Sequence, residues 1–267
     1  MEQEWMRLLP IVISAAQAAG EMIMTYYRST YDSWDKSPDN PVTTADLAAN
    51  RLLRQRLLDA APGAGWLSEE TEDNPERLAE RRIWVVDPLD GTREFIDGQD
   101  EFSVSVAYTE DGQPRLGVIH NPATGETIAG TVEQGVTYNS QPAKPLSGRT
   151  EVRGARVLVS DTEVGRGMWD QHRHELALHQ IGSSAYKLGL VAAGRGDAYV
   201  SLKPKREWDI CAGVALILAA GGKATDLTGQ PFRFNQADLE VRGVVVANPI
   251  LHAGLLEMLQ KRGGQEK

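Results

Sequence analysis

Cysteine is nearly absent: the 267 residues contain one, Cys211. No disulfide can form within the chain, and a cysteine-based zinc site does not fit. A reducing, cytoplasmic compartment does. Positive charge is also scarce. Lysine and arginine number 28 against 37 aspartates and glutamates, a formal net charge of −9. Such a chain does not gather on nucleic acid or anionic lipid through bulk electrostatics, and no basic, aromatic-rich stripe offsets this. An anionic ligand would therefore need a local reversal of the field, for which bound cations are the obvious means. No run reaches the roughly 18–20 apolar residues of a membrane span. Residues 8–20 are apolar and small, but Glu2 and Glu4 put negative charge where a secretory leader needs positive charge. That segment reads as a buried amphipathic helix.

What remains is ordinary globular composition, 41% hydrophobic and 24% charged. The length suits one large domain or two moderate ones. Helices are expected over residues 4–28 and 44–60, the second capped by Thr44, with a loop over 29–43 between them. Short strands follow at 83–86, 103–108, 116–119, 127–129 and 135–138. Residues 140–150 read as a linker. Beyond it, strands at 157–159, 198–201 and 244–247 alternate with helices at 168–179, 185–193, 210–220 and 251–261. The expected division is 1–145, an α+β unit with an antiparallel sheet, and 146–267, an α/β unit.

The densest polar feature is Asp87-Pro88-Leu89-Asp90-Gly91-Thr92, directly after a predicted strand. Two carboxylates three residues apart at a strand end can turn toward one point. Gly91 lets backbone approach a ligand closely, and a helix starting there would turn free N–H groups toward a phosphate. Carboxylates beside anion-binding amides make sense when hard cations lie between them, and Mg²⁺ takes oxygen ligands shared with phosphates. Three other acidic motifs have simple readings when taken singly. Asp46 fits the first turn of a helix, Glu69 and Glu70 a solvated face, and Asp209 a helix cap. The five histidines, His120, His172, His174, His179 and His252, fit none of these motifs and read as surface or structural.

The order is P-V-T-x-A-D, S-E-E, D-P-L-D-G-T, G-S-S and W-D-I before a helix ending in Gly-Gly. Across residues 36–222 it resembles the inositol monophosphatase superfamily, lithium-sensitive and Mg²⁺-dependent phosphatases. The resemblance implies a layered α-β-α-β-α sandwich and two or three Mg²⁺ ions. It implies that Glu69, Asp87, the Leu89 carbonyl, Asp90 and Asp209 hold metal, with Glu70 helping to hold a third ion. Asp46 and Thr92 would orient or deprotonate the attacking water, and the Gly91 and Thr92 N–H groups would hold phosphate. Two cations about 3.5–4 Å apart can neutralise a phosphate monoester and stabilise its leaving alkoxide, with no cysteine or serine nucleophile required. A non-catalytic relative would show loss of a carboxylate, and none is lost.

Within the superfamily, Thr92-Arg93-Glu94-Phe95-Ile96 resembles the T-K-E-F-I stretch of bacterial 3'(2'),5'-bisphosphate nucleotidases, with Arg93 replacing the usual lysine. Inositol monophosphatases more often carry T-x-N-F. Ser183, Ser184 and Lys187 match the nucleotidases' S-S-x-K region, and Lys203, Lys205 and Arg206 offer cations for a second phosphate. The expected reaction is adenosine 3',5'-bisphosphate to AMP and phosphate, with Glu69, Leu89, Asp90, Gly91, Thr92, Ser184, Lys187, Arg206 and Asp209 touching substrate. The alternative is inositol 1-phosphate hydrolysis, with or without fructose 1,6-bisphosphatase activity. The expected partner is a small phosphate monoester, with neither nucleic acid nor membrane, and a homodimer is compatible with the reading. Lys36 and Asp39 lie near the family's metal-responsive loop.

Overall fold

The computed structural model describes residues 4–37 and 40–263. Its helices are α1 (Glu4–Met24), α2 (Thr44–Ala60), α3 (Thr92–Ile96), α4 (Asp161–Gly165), α5 (Ser184–Ala192), α6 (Glu207–Ala219) and α7 (Pro249–Gly263). A seven-stranded sheet runs through Gly65–Ser68, Arg82–Asp90, Ser103–Glu110, Gln113–Asn121, Glu126–Thr131, Gly135–Tyr138 and Gln141–Pro142 in spatial order. Every neighbouring pair in it is antiparallel except the first. A second, five-stranded mixed sheet is ordered Ala177–Gln180, Arg156–Val159, Ala198–Ser201, Val244–Ala247, Lys223–Thr225.

Side-chain alternation stacks these elements in layers. Trp84 and Val86 face α1 and α2, while Ile83 and Val85 face the opposite way, onto α5 and α6. In the second sheet Leu158, Val244 and Val246 close the same interior from the far side. Val157, Val159, Val245 and Ala247 meet α4 and α7 on the outer face. Three apolar clusters, the middle one enclosing α5 and α6 between the two sheets, thus join helices, sheet, helices, sheet and helices, which is the expected sandwich. The middle layer joins residues from both sides of position 145, from Leu67 and Ile128 to Leu188 and Ile217, so the two stretches of chain share a core. By length and composition α1 would pass for a membrane span, but Leu8, Val12, Ala15, Ala19 and Ile23 are packed in the first layer.

Two glycines set the distance at which α6 rests on its neighbours. A Cβ at Gly117 would lie 2.3 Å from the Ala212 carbonyl oxygen, and one at Gly213 would lie 2.2 Å from Leu188 Cβ. Backbone cannot give way as a flexible side chain can, so Gly117→Ala is expected to lower stability by about 1–3 kcal/mol, the usual cost of overpacking. Chemical denaturation checks this, and an unchanged midpoint would contradict the packing described.

Several local expectations are corrected. The region 168–179 is not a helix: it holds a short 3₁₀ turn, Asp170–His172, and the edge strand Ala177–Gln180. The stretch 29–43 contains an antiparallel hairpin, Ser33–Ser37 with Asn40–Thr43. Thr43 rather than Thr44 caps α2, in a reciprocal capping box with Asp46. The first helix ends at Met24, not 28, and the strand Gly65–Ser68 was unforeseen.

Candidate active site

The strands Gly65–Ser68 and Arg82–Asp90 run parallel, with Ser68 level with Val86. The shorter strand therefore stops level with Val86, and the Glu69 N–H reaches the Val86 carbonyl at 3.3 Å. That alignment brings Glu69 beside Asp87. The ladder to Ser103–Glu110 slips between Asp87 and Asp90, and the Leu89 N–H donates to Asp87 Oδ1 at 3.0 Å. The chain then turns at Gly91 (φ 98°) into α3, whose first amides lack intrahelical acceptors. A side chain at Gly91 would meet backbone as well as a left-handed φ, with Glu101 O only 3.0 Å from its Cβ position.

Three further elements complete the site. Asp46, in the first turn of α2, accepts from Thr43 N–H at 2.8 Å and from its hydroxyl at 2.6 Å through Oδ2. Its Oδ1 faces the Thr92 hydroxyl at 3.0 Å, which is also 3.0 Å from the Leu89 carbonyl. Asp209 is the third residue of α6, not its cap, and its Oδ2 accepts the Arg206 N–H at 2.9 Å. The start of α5 holds Asp90: Oδ2 accepts from the Ser183 hydroxyl at 2.5 Å and the Ala185 N–H at 2.6 Å. Finally, Lys36 of the hairpin donates to Glu69 at 2.7 Å and to Glu70 at 2.6 Å. Asp39 lies outside the described residues.

Glu69, Asp87, Asp90 and Asp209 line a cavity of about 330 Å³ beside Leu89, Gly91 and Thr92, while Asp46 and Glu70 sit behind its wall. Carboxylate oxygens of Glu69, Asp87 and Asp209 come within 4.8 Å of one another. A depression of about 370 Å³ beside Glu4 and Arg82 is larger, but there Glu4 is already bound by Arg82 and Tyr108.

So many acids in one place resist ionisation. Burial pushes Asp46 up to about 6 and Glu70 up to about 7, with Lys36 opposing the shift of Glu70. Burial also pushes Asp209 to about 7; Lys205 works against this, and Asp90 and Glu69 add to it. Asp87 rises well above its usual range through burial and then Glu69, Asp90 and Asp209. An all-oxygen donor set with unbalanced negative charge is what a hard divalent cation satisfies. Glu69, Asp87, the Leu89 carbonyl, Asp90 and Asp209 could hold such ions, with Glu70 alongside.

The expected substrate contacts fare differently. Lys187 does not reach the cavity: it is buried, its ammonium donates to the Ile181 carbonyl at 2.6 Å, and burial pulls its pKa down to about 8. Ser184 is buried near Tyr199, off the cavity wall. Arg206 is exposed and points toward Glu240, 3.9 Å away. In their place, Arg93, Glu94 and Lys205 line the cavity. Ser183, the partner of Asp90, is not among the expected site residues, and its φ of 52° is set by the fold and carries no sequence signal. None of the five histidines lines the cavity; His120 and His252 are buried against Thr127 and Thr225, both at 2.9 Å.

The inositol monophosphatase family model matches residues 4–263. A 3'(2'),5'-bisphosphate nucleotidase CysQ from Aggregatibacter actinomycetemcomitans is 35% identical over 238 residues, covering 86% of this chain and 88% of its own. An inositol-1-monophosphatase from Rhizobium meliloti is 30% identical over 264 residues, covering 95% and 96%. The solved inositol monophosphatase from Anabaena superposes with a TM-score of 0.80 at 26% identity, covering 97% of each chain.

Proposed function

We propose, for a chain that belongs to the inositol monophosphatase family and is a metal-dependent phosphatase, that the substrate is adenosine 3',5'-bisphosphate and the products are AMP and phosphate. The observation that carries this reading is the lining of the cavity. Glu94, the residue of T-R-E-F that departs from T-x-N-F, and Arg93 beside it share the wall with the carboxylates. The 35% identity to a bisphosphate nucleotidase supports it. The single buried cysteine suits the cytoplasm.

Bound Mg²⁺, two or three ions, would supply positive charge to the ester and the leaving oxygen. The protein's own groups do the rest. Thr92 Oγ1 takes a proton from the attacking water as it passes its own to Asp46 Oδ1, 3.0 Å away. Asp46, held near 6 by burial, is suited to receive a proton near neutral pH. The water oxygen bonds to phosphorus as the bond to the ribose oxygen breaks; the leaving oxygen takes a proton from solvent, and Asp46 returns the one it received to solvent, so the protons balance. Gly91 and Thr92 turn their amides toward the phosphate.

Phosphate release under Mg²⁺ from adenosine 3',5'-bisphosphate, inositol 1-phosphate and fructose 1,6-bisphosphate tests the reading. The nucleotide is expected to lead in kcat/KM by at least about tenfold, some 1.4 kcal/mol in the barrier, and millimolar lithium to inhibit. Preference for inositol 1-phosphate would replace this assignment with that of the Rhizobium relative and leave the carboxylate site intact.

A further inference from the structure

The basic run before Trp208 contributes one side chain to the cavity, and it is Lys205. Backbone pairing explains why. Lys205 and Arg206 form a two-residue ribbon with Glu240 and Val241, so successive side chains point to opposite sides. Arg206 faces out beside Glu240, and Lys205 faces in.

The approach to this ribbon is firmly held. Glu163 is fully buried, and its Oε1 accepts from the Ser201 hydroxyl at 2.6 Å, the Leu202 N–H at 3.1 Å and the Lys203 N–H at 3.2 Å. Its Oε2 accepts from Trp169 at 3.0 Å. Pro204 then restricts the backbone just before Lys205.

Among the described residues, the Lys205 ammonium donates no hydrogen bond and has no carboxylate within 4.0 Å, although Asp209 and Asp90 act on it through space. Arg93, on the same wall, has a partner of its own. A lysine serving only as counter-ion to Asp209 would close on it. Cations bound to the carboxylates would cancel their pull and leave Lys205 as a positive charge facing the substrate. That charge would be unfavourable beside a neutral leaving alcohol and favourable beside an anionic one.

We infer that Lys205 selects substrates whose leaving alcohol carries a second anionic group, by donating a charge-assisted hydrogen bond to it. This rests on the bisphosphate reading and assigns the second phosphate a partner.

The test compares adenosine 3',5'-bisphosphate with adenosine 3'-monophosphate, which has the same ester and lacks the second phosphate. Wild type, Lys205→Met and Lys205→Arg are assayed with Mg²⁺, and folding is checked by thermal melting. Lys205→Met is expected to lower the bisphosphate-to-monophosphate ratio of kcat/KM by roughly ten- to a hundredfold, chiefly through KM for the bisphosphate. Lys205→Arg should recover most of the ratio. Equal losses on both substrates, with the ratio unmoved, would overturn the inference and leave Lys205 a structural neighbour of Asp209. A wild type that prefers inositol 1-phosphate to the bisphosphate would instead remove the nucleotidase reading, and this inference with it. That result is visible before any variant is compared.

Discussion

Asp90→Asn is expected to lower kcat/KM by about a thousandfold or more, the scale on which loss of one electrostatic stabiliser at a reacting centre registers. The reason lies in the two ends of the side chain. Oδ2 is occupied by the Ser183 hydroxyl and the Ala185 N–H at the start of α5. An asparagine can keep those two bonds only by presenting its amide oxygen to them. Its NH₂ group then points into the cavity, a donor where a cation requires an acceptor. The substitution preserves shape and removes one of several crowded charges, so the fold should hold. Phosphate release and thermal melting of the same preparation check both halves. Full activity would show that Asp90 is not among the groups that hold metal, and a collapsed melting temperature would show that it serves the fold instead.

Mg²⁺ is expected to raise the melting temperature, and the increment should grow by about 6–11 °C between pH 6 and pH 8. The carboxyls at the site have folded pKa values above their unfolded ones, with Glu70 and Asp209 at about 7. The metal-free fold therefore holds protons that the unfolded chain has already released, and its stability falls as pH rises through that range. Metal needs the ionised carboxylates, so binding strengthens over the same interval. Each group near 7 contributes about 1.4 kcal/mol across those two pH units, and each kcal/mol moves the melting point by about 2–4 °C in a protein of this size. His252 runs the other way: burial lowers it to about 4, so the stability it contributes is present above its unfolded value and lost as pH falls toward 4. It lies beside Thr225, outside the cavity, and contributes equally with and without metal, so it cancels in the increment. An increment independent of pH would mean that these acids are not the ligands. Prior chelation with EDTA should abolish turnover in the same samples.

The layers were legible in the sequence because alternation along a strand survives without any knowledge of partners. Val157, Val159, Val245 and Ala247 read as strand residues before their neighbours are known. The carboxylates were legible through their motifs. The turn and edge strand at 168–180 were not: His172 and Leu176 mimic helical spacing, and only pairing with Arg156–Val159 decides for the strand. Substrate contacts were the least legible. Whether Lys205 or Arg206 faces inward depends on a two-residue pairing with Glu240–Val241, more than thirty residues away in the chain. Lys187 looked accessible because a lone lysine on a predicted helix usually is. Its burial depends on Ile181 and Tyr199 closing over it.

The shared middle layer has a consequence during synthesis. Val85, Ala107, Ile119 and Ile128 on the inner face of the first sheet find their cover in α5 and α6, and Leu188 follows Ile128 by 60 residues. At ribosomal speeds of about 5–20 residues per second, that sheet emerges with an oily face bare for about 3–12 s. The nascent chain, more than the finished enzyme, is then the form most in need of a chaperone.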